Sequence, residues 1–517
     1  MNQTAVPARL SLPLRPLFTI TILLGSFLLF LIQPLFGRLV LPVLGGSPSV
    51  WNTAMLFYQA ALLGGYLYAH ALSRFSVRRQ MLVHLGVFAV AALTLPIGVA
   101  DIGASPDGAP TFWLIGLLTV SIGPVFFAVS AQAPLMQSWF SRSGDRDAAN
   151  PYFLYSASNL GSFAALLAYP LLVEPMASLG TQTLAWSAGF VALALCVALC
   201  GLATGIGEAP ARSAARPATS WAKRGRWTLL AAVASGLLLS TTTHLTTDIM
   251  AMPLLWVLPL SIYLLSFVLV FSGSGPAWTR FAVHGAPLAL ITLGAWVCMP
   301  AGPAAATVFA AAGLLLLFII AVALHGTLAA EKPQAEGLTD FYLWMSVGGA
   351  MGGVFCALVA PVIFNWPFEH PLLLIAAVLL VPTREPHAFW QRASLRYGAA
   401  AAALLLSWGA ATRFSFVTID RFQLIWLPYL LAVAALALLT MAAVGRRKLF
   451  AWCFAMLILS LGGWNQIFMS ADGMRQRSFF GVYTVEDRKT QDYKALMHGT
   501  TMHGLQSDIP AMKTVPM

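Results

Sequence analysis

The stretch LFTITILLGSFLLFLIQPLF, Leu17–Phe36, runs for twenty residues without a charged side chain. About 20 apolar residues are what a helix needs to cross the ~30 Å hydrocarbon core of a bilayer. Arg9 and Arg15 precede the run, which is too long for the core of a signal peptide and shows no small-x-small cleavage site, so it is expected to stay as a first membrane span.

The rest of the chain repeats this pattern. Hydrophobic residues make up 59% of the 517 positions and charged ones 9%, far below the roughly 25% of a soluble domain. The mean hydropathy is +0.79. Apolar runs near 17–36, 51–72, 81–99, 112–136, 152–173, 181–203, 228–243, 253–272, 282–299, 304–325, 342–364, 368–382, 397–411, 423–443 and 449–469 predict an all-α polytopic membrane protein with about 14–15 spans. A bilayer, in a bacterium its inner membrane, is the expected solvent. Charged residues are confined to short gaps, which leaves no soluble core before about residue 464.

The 29 Lys and Arg against 18 Asp and Glu give a net charge of +11. These cations form no basic stripe interleaved with aromatics, so no nucleic-acid partner is expected. Their positions fit topology instead. Arg74, Arg78 and Arg79 follow the second run, Arg212 to Arg226 the sixth, Arg392 and Arg396 the twelfth, and Arg446 to Lys448 the fourteenth. The positive-inside rule makes these exits and the N-terminus cytoplasmic. An odd number of spans then sends the C-terminal tail outside, an even number inside. The five cysteines all lie within apolar runs, where they act as small hydrophobes and predict neither a disulfide framework nor a metal site.

An internal repeat is also legible. FLYSASNLGSFAALLAYP (Phe153–Pro170) and YLWMSVGGAMGGVFCALVAP (Tyr342–Pro361) share an aromatic-Leu-aromatic start, a small-residue centre and a closing proline, six spans apart. GSFLLFLIQP (Gly25–Pro34) and SGLLLSTTTH (Ser235–His244) match over the same offset. Two six-helix halves of this kind are the facilitator architecture, with a substrate path between repeats near mid-bilayer. The expected division is a first transmembrane half at 1–205, a basic cytoplasmic linker at 206–227, a second half with extra helices at 228–470, and a β-rich piece at 471–517.

Few residues offer chemistry inside the membrane. In STTTHLTTDIMAMP (Ser240–Pro253), His244 and Asp248 are spaced i,i+4 and share a face if the stretch is helical, so together they suit a proton or a cationic group. The competing reading makes the stretch a turn between two spans, with Asp248 wetted and the threonines capping helices. Gln33 and Gln59, like Asn52 and His70, are further polar candidates in the first two spans; such amides more often bond neighbouring helices than ligands. In GGAMGG, the overlapping pairs Gly348/Gly352 and Gly349/Gly353 have G-x-x-x-G spacing and are expected to let a neighbouring helix approach closely. No strand precedes them, so they are no dinucleotide loop, and no cofactor is expected. GYLYAHALSRFSVRR (Gly65–Arg79) loosely resembles the loop that facilitators carry after their second helix, without its acidic residue.

Five stretches together carry a family resemblance: Gly25–His70, Tyr152–Pro175, Thr246–Phe267, Leu338–Phe355 and RSFFGVYTVEDRKTQDYKALMHGTTMHGLQ (Arg477–Gln506). They resemble the membrane-embedded spermidine-synthase-like proteins, described as fused facilitator and spermidine synthase. In that family a hydrophobic region precedes a small β-domain and a methyltransferase-like fold. The last stretch alternates as a hairpin, with strands around Val482–Val485 and Tyr493–Met497, and resembles the start of that β-domain. No glycine-rich adenosyl-binding turn or polyamine-holding carboxylate pair follows it in this sequence. Where true aminopropyltransferases end the second strand in Asp-Gly-x-x-Gln, this chain has His498, Gly499 and Met502. The resemblance thus implies a transporter-like protein, for a small molecule or a polyamine, that is not catalytic on its own. The alternative is the membrane part of an aminopropyltransferase-type enzyme whose catalytic domain is truncated or separately encoded.

Overall fold

A computed structural model of the chain describes residues 13–103, 110–148, 151–204, 219–248, 255–299, 305–333, 337–383, 385–414, 426–488, 492–499 and 501–512. The molecule is mostly helical and carries one small antiparallel sheet near the C-terminus. Its contacts divide it into two compact units. One comprises 1–45, 54–228 and 332–350; the other comprises 46–53, 229–331 and 351–517.

The first unit is built on α1 (Leu14–Leu44), most of α2 (Pro48–Leu72), α3 (Val77–Ala92), α4 (Pro110–Ser121), α5 (Gly123–Ser130), α6 (Gln132–Phe140), α7 (Tyr152–Ala168), the single turn α8 (Glu174–Met176) and α9 (Leu179–Thr204). Helices α1, α7 and α9 pack together through polar contacts that their own backbones leave room for. Ser26 Oγ lies 2.7 Å from Ser158 Oγ, and the Trp186 indole donates to Leu28 O at 2.9 Å. A side chain is excluded at Gly161, where a Cβ would stand 2.5 Å from Leu23 O. Phe18, Ile22, Trp139, Phe140 and Phe190 fill the centre. Helices α4 to α6 form an apolar pair of segments, Pro110–Ser121 and Gly123–Phe140, bent by 71°.

The second unit takes most of α10 (Trp221–Asp248), then α11 (Val257–Val270), α12 (Gly275–Thr292) with a 3₁₀ turn at Gly294–Cys298, and α13 (Ala306–Ala330). It also takes the end of α14 (Leu338–Val354), α15 (Ala360–Ile363), α16 (Glu369–Leu380), α17 (Ala393–Phe414), α18 (Trp426–Ala442), α19 (Arg447–Ile458) and α20 (Trp464–Ala471). Indole N–H groups of α19 and α20 tie α17 into this unit, because a donor in an apolar setting must find an acceptor. Trp452 donates to Ala400 O and Trp464 to Ser407 Oγ, both at 3.0 Å. Here α14 meets α10 as α7 meets α1. A Cβ on Gly352 would stand 2.6 Å from Ala232 O, so the matched segments of the repeat make the same close pairing, one pair in each unit.

Every apolar run expected from the sequence falls on a helix. Among the described residues, eight helices are long and apolar enough to cross a membrane, or nine if the bent pair is one span. Three more are apolar but shorter: Val257–Val270, Glu369–Leu380 and Leu427–Ala442. The remainder, α2, α3 and α17, hold more polar residues or, in α3, only 16 residues. These elements make the chain a multi-pass membrane protein. Helix α10 begins at Trp221, so the last part of the expected basic linker is already helical; residues 205–218 of that linker lie outside the described residues.

The expected hairpin is the centre of a larger element, a four-stranded meander of β1 (Arg475–Ser478), β2 (Gly481–Arg488), β3 (Tyr493–His498) and β4 (Thr501–Ser507) in the order β1-β2-β3-β4. Val485 pairs with Leu496 and Met497 with Met502, with a register shift at Leu496/Met497. The outer strands escape a pattern search because RQRS has no apolar alternation and TMHGLQS contains a glycine. Val482 and Ala495 supply the buried side of the sheet.

Candidate functional site

The polar end of α10 is no turn. The segment stays helical to Asp248, because its hydroxyls bond back to the preceding turn: Thr242 Oγ1 to Leu238 O at 2.8 Å, Thr243 Oγ1 to Leu239 O at 3.1 Å, and Thr246 Oγ1 to Thr242 O at 2.7 Å. A hydroxyl satisfied within its own helix can sit in apolar surroundings. Thr243 also accepts from the Asn52 amide at 2.9 Å, while Trp51 stacks on Trp256 with ring centroids 3.4 Å apart.

The face that matters on α10 is Ser240/His244. His370, the second residue of α16, lies against it: its Nδ1 is 2.9 Å from Ser240 Oγ, and its ring stacks on His244 at 5.3 Å and 21°. The two imidazoles border a cavity of about 260 Å³ whose walls include Thr292, Trp296, Phe309 and Leu316. Two polar rings and a hydroxyl on an otherwise apolar wall suit a small ligand with one or two polar groups. Asp248 ends the same helix; its side chain lies outside the described residues.

Behind His370, the preceding residue Glu369 is fully buried and accepts both arms of Arg477 from β1, at 3.0 and 2.7 Å. The Arg477 side chain is itself 5% exposed. Glu369 occupies the first turn of α16, where the partial positive charge of a helix start favours a carboxylate. Two residues away on the same strand, Arg475 bonds Gln466, whose amide donates to Cys298 O at 2.8 Å, and lies over the Trp366 ring at 5.9 Å. The sheet therefore reaches into the helices of its own unit with two arginines.

Gln33 and Gln59 belong to the first unit, His244 to the second. Gln33 is buried, its amide directed 3.5 Å from Leu29 O. His70 borders a niche of about 10 Å³, large enough for one water, with Tyr66, Ser73, Ser138 and Tyr342. Of the glycines, Gly348, Gly352 and Gly353 are buried and Gly349 is half-buried; Gly352 abuts α10, whereas a Cβ on Gly349 would meet nothing within 4 Å. The described cysteines are free thiols, and no group of three metal-ligating side chains occurs among the described residues.

Sequence reasoning missed Ser240, Glu369, His370 and Arg477. A signal was present: Glu369 and His370 head an apolar run, and an ionisable residue there is a functional candidate by default. Their partners lie 108 and 130 residues away, so spacing could not pair them.

Neither a protein-family model nor a curated protein matches the chain. Among solved structures it is similar to the crystal structure of a POT family transporter in complex with 5-aminolevulinic acid, at 12% identity over 71% of this chain and 94% of that one, with a TM-score of 0.43. A likeness this distant carries no argument about function, which rests on the chain's own geometry.

Proposed function

We propose that this chain is a membrane transporter for a small molecule, that the cavity beside His244 and His370 is its binding site, and that it performs no catalysis on its own. The observation that carries the reading is the stacked imidazole pair on the wall of a cavity among membrane helices. Ionisable groups are costly at such positions and persist chiefly where function needs them. At about 260 Å³ the cavity lies just below the usual range for small-molecule sites, which favours a compact substrate. Among the described residues no carboxylate lines it, and Glu369 is engaged by Arg477. A polyamine substrate thus draws its support from the family resemblance rather than from the cavity. Asp248, one turn beyond His244, enters the proposal by its place on α10.

A second reading, the membrane part of an aminopropyltransferase-type enzyme, is favoured by one feature: the antiparallel sheet resembles the small β-domain that opens a synthase unit. One purified preparation separates the two. In proteoliposomes, uptake is screened with labelled putrescine, spermidine and a set of small amino and carboxylic acids. For any substrate carried, His244→Gln, His370→Gln and Asp248→Asn are each expected to lower uptake by about tenfold or more while leaving membrane insertion intact. Unchanged uptake in all three variants removes the site. Spermidine formed from putrescine and decarboxylated S-adenosylmethionine, above a boiled control, would establish the second reading.

A further inference from the structure

The C-terminal sheet reads from its sequence as an appendage. Its contacts say otherwise. Arg475 and Arg477 alternate with Gln476 on β1, so both point to one face, and both engage helical residues of the same unit. Arg477 meets the one carboxylate that immediately precedes the cavity histidine. We infer that Arg477 is a positioning residue for His370: by clamping Glu369 it fixes the first turn of α16, and the sheet is thereby a working part of the cavity.

The physical basis is the cost of an orphaned charge. A buried carboxylate held by a two-pronged guanidinium is neutralised as a pair. Removing one partner leaves the other charged and dry, a far larger loss than removing both. Glu369 is the first residue of its helix, where the backbone is held by turn bonds such as His370 N–H to Pro367 O rather than by the full helical ladder, so an uncompensated carboxylate draws this turn toward water. His370 must follow, because the two residues share one turn. Its bond to Ser240 and its stack on His244 are then lost together. Interactions elsewhere in the unit, such as His325 Nδ1 with Ser266 Oγ at 2.7 Å, share no residue with this clamp.

The test is histidine footprinting of the full chain, purified in detergent, with diethyl pyrocarbonate and mass spectrometry. In Arg477→Met, carbethoxylation of His370 is expected to rise about tenfold, with His325 and His84 unchanged. In the Glu369→Gln/Arg477→Met double variant, where no charge is orphaned, His370 is expected to return to within about twofold of the parent. No change at His370 in the single variant overturns the inference. So does an equal rise at His84 and His325, or a double variant as reactive as the single one. Should Arg477→Met fail to accumulate, Arg477→Lys, which keeps the charge and loses the fork, takes its place, with a smaller rise at His370 expected and the same outcomes decisive. The inference rests on the proposed binding site only in calling His370 a ligand group. Footprinting needs no ligand, so failure of the uptake test and failure of this one are distinct results.

Discussion

Gly349 and Gly352 are three residues apart in one motif, yet only one of them has a neighbour where its side chain would be. A Cβ on Gly352 would approach Ala232 O, Gly236 N and Ser235 Cβ at 2.6, 2.8 and 3.1 Å; one on Gly349 would meet nothing within 4 Å. Backbone cannot yield as a flexible side chain can. Gly352→Ala is therefore expected to lower thermal stability in detergent, by about 1–3 kcal/mol as for other overpacked sites, while Gly349→Ala leaves the melting temperature within error. Equal effects at the two positions would contradict this assignment. The G-x-x-x-G spacing was legible in the sequence. Which glycine meets the partner was not, because that depends on how the helix is rotated. The same limit hid His370: an imidazole next to a glutamate is visible in FEHP, but its hydroxyl partner on α10 is set by packing across 130 residues.

At the scale of the element, the end of α10 shows why hydroxyls misled a pattern reading. Five threonines and a serine within eight residues suggest a turn, yet the helix holds because each described threonine hydroxyl with a bond back to the preceding turn needs nothing from water. Thr242 and Thr243 separate the roles. Thr242 bonds only its own helix in the described contacts, whereas Thr243 also receives the Asn52 amide. Thr242→Val is expected to be nearly neutral. Thr243→Val should cost about 1–3 kcal/mol, because it leaves a buried amide donor unsatisfied, and Asn52→Leu in the Thr243→Val background should recover much of that loss. A thermal melt of the four proteins checks it, and a neutral Thr243→Val would mean that the Asn52 contact carries no energy. For the sheet, the central hairpin was legible because β2 and β3 alternate. The outer strands were not, because β1 owes its place to two arginines that engage helical residues, Arg477 buried and Arg475 half-buried, whose partners no local pattern reveals.

At the scale of the whole molecule, the side of the membrane on which the tail lies looked dependent on an uncertain span count. Helix α16, with 12 residues, covers only about 18 Å of a ~30 Å core, and no composition rule decides whether it crosses. Contacts remove that dependence. Ser47 Oγ donates to Phe479 O at 3.3 Å, the Asn365 amide to Ser470 O at 3.2 Å, and the Gln466 amide to Cys298 O at 2.8 Å. Groups in direct contact lie at one level, so if Ser47 sits at a membrane surface, the chain is expected to make an even number of crossings between Ser47 and Phe479 however many helices take part. Among the described residues only α1 precedes Ser47, and α1 is long and apolar enough to cross. If the N-terminus and the Arg74–Arg79 loop are cytoplasmic, as their positive charge predicts, then Ser47, Phe479 and the sheet are expected on the opposite side. A phosphatase reporter fused after Met517 is thus expected to be active and a fluorescent protein there dark, with the reverse at Arg79. A fluorescent C-terminal fusion alongside a fluorescent Arg79 fusion would break the link between Ser47 and Phe479. It would also return the sheet to the cytosol, where an adenosyl cofactor is available, and strengthen the enzymatic reading at the expense of the transporter.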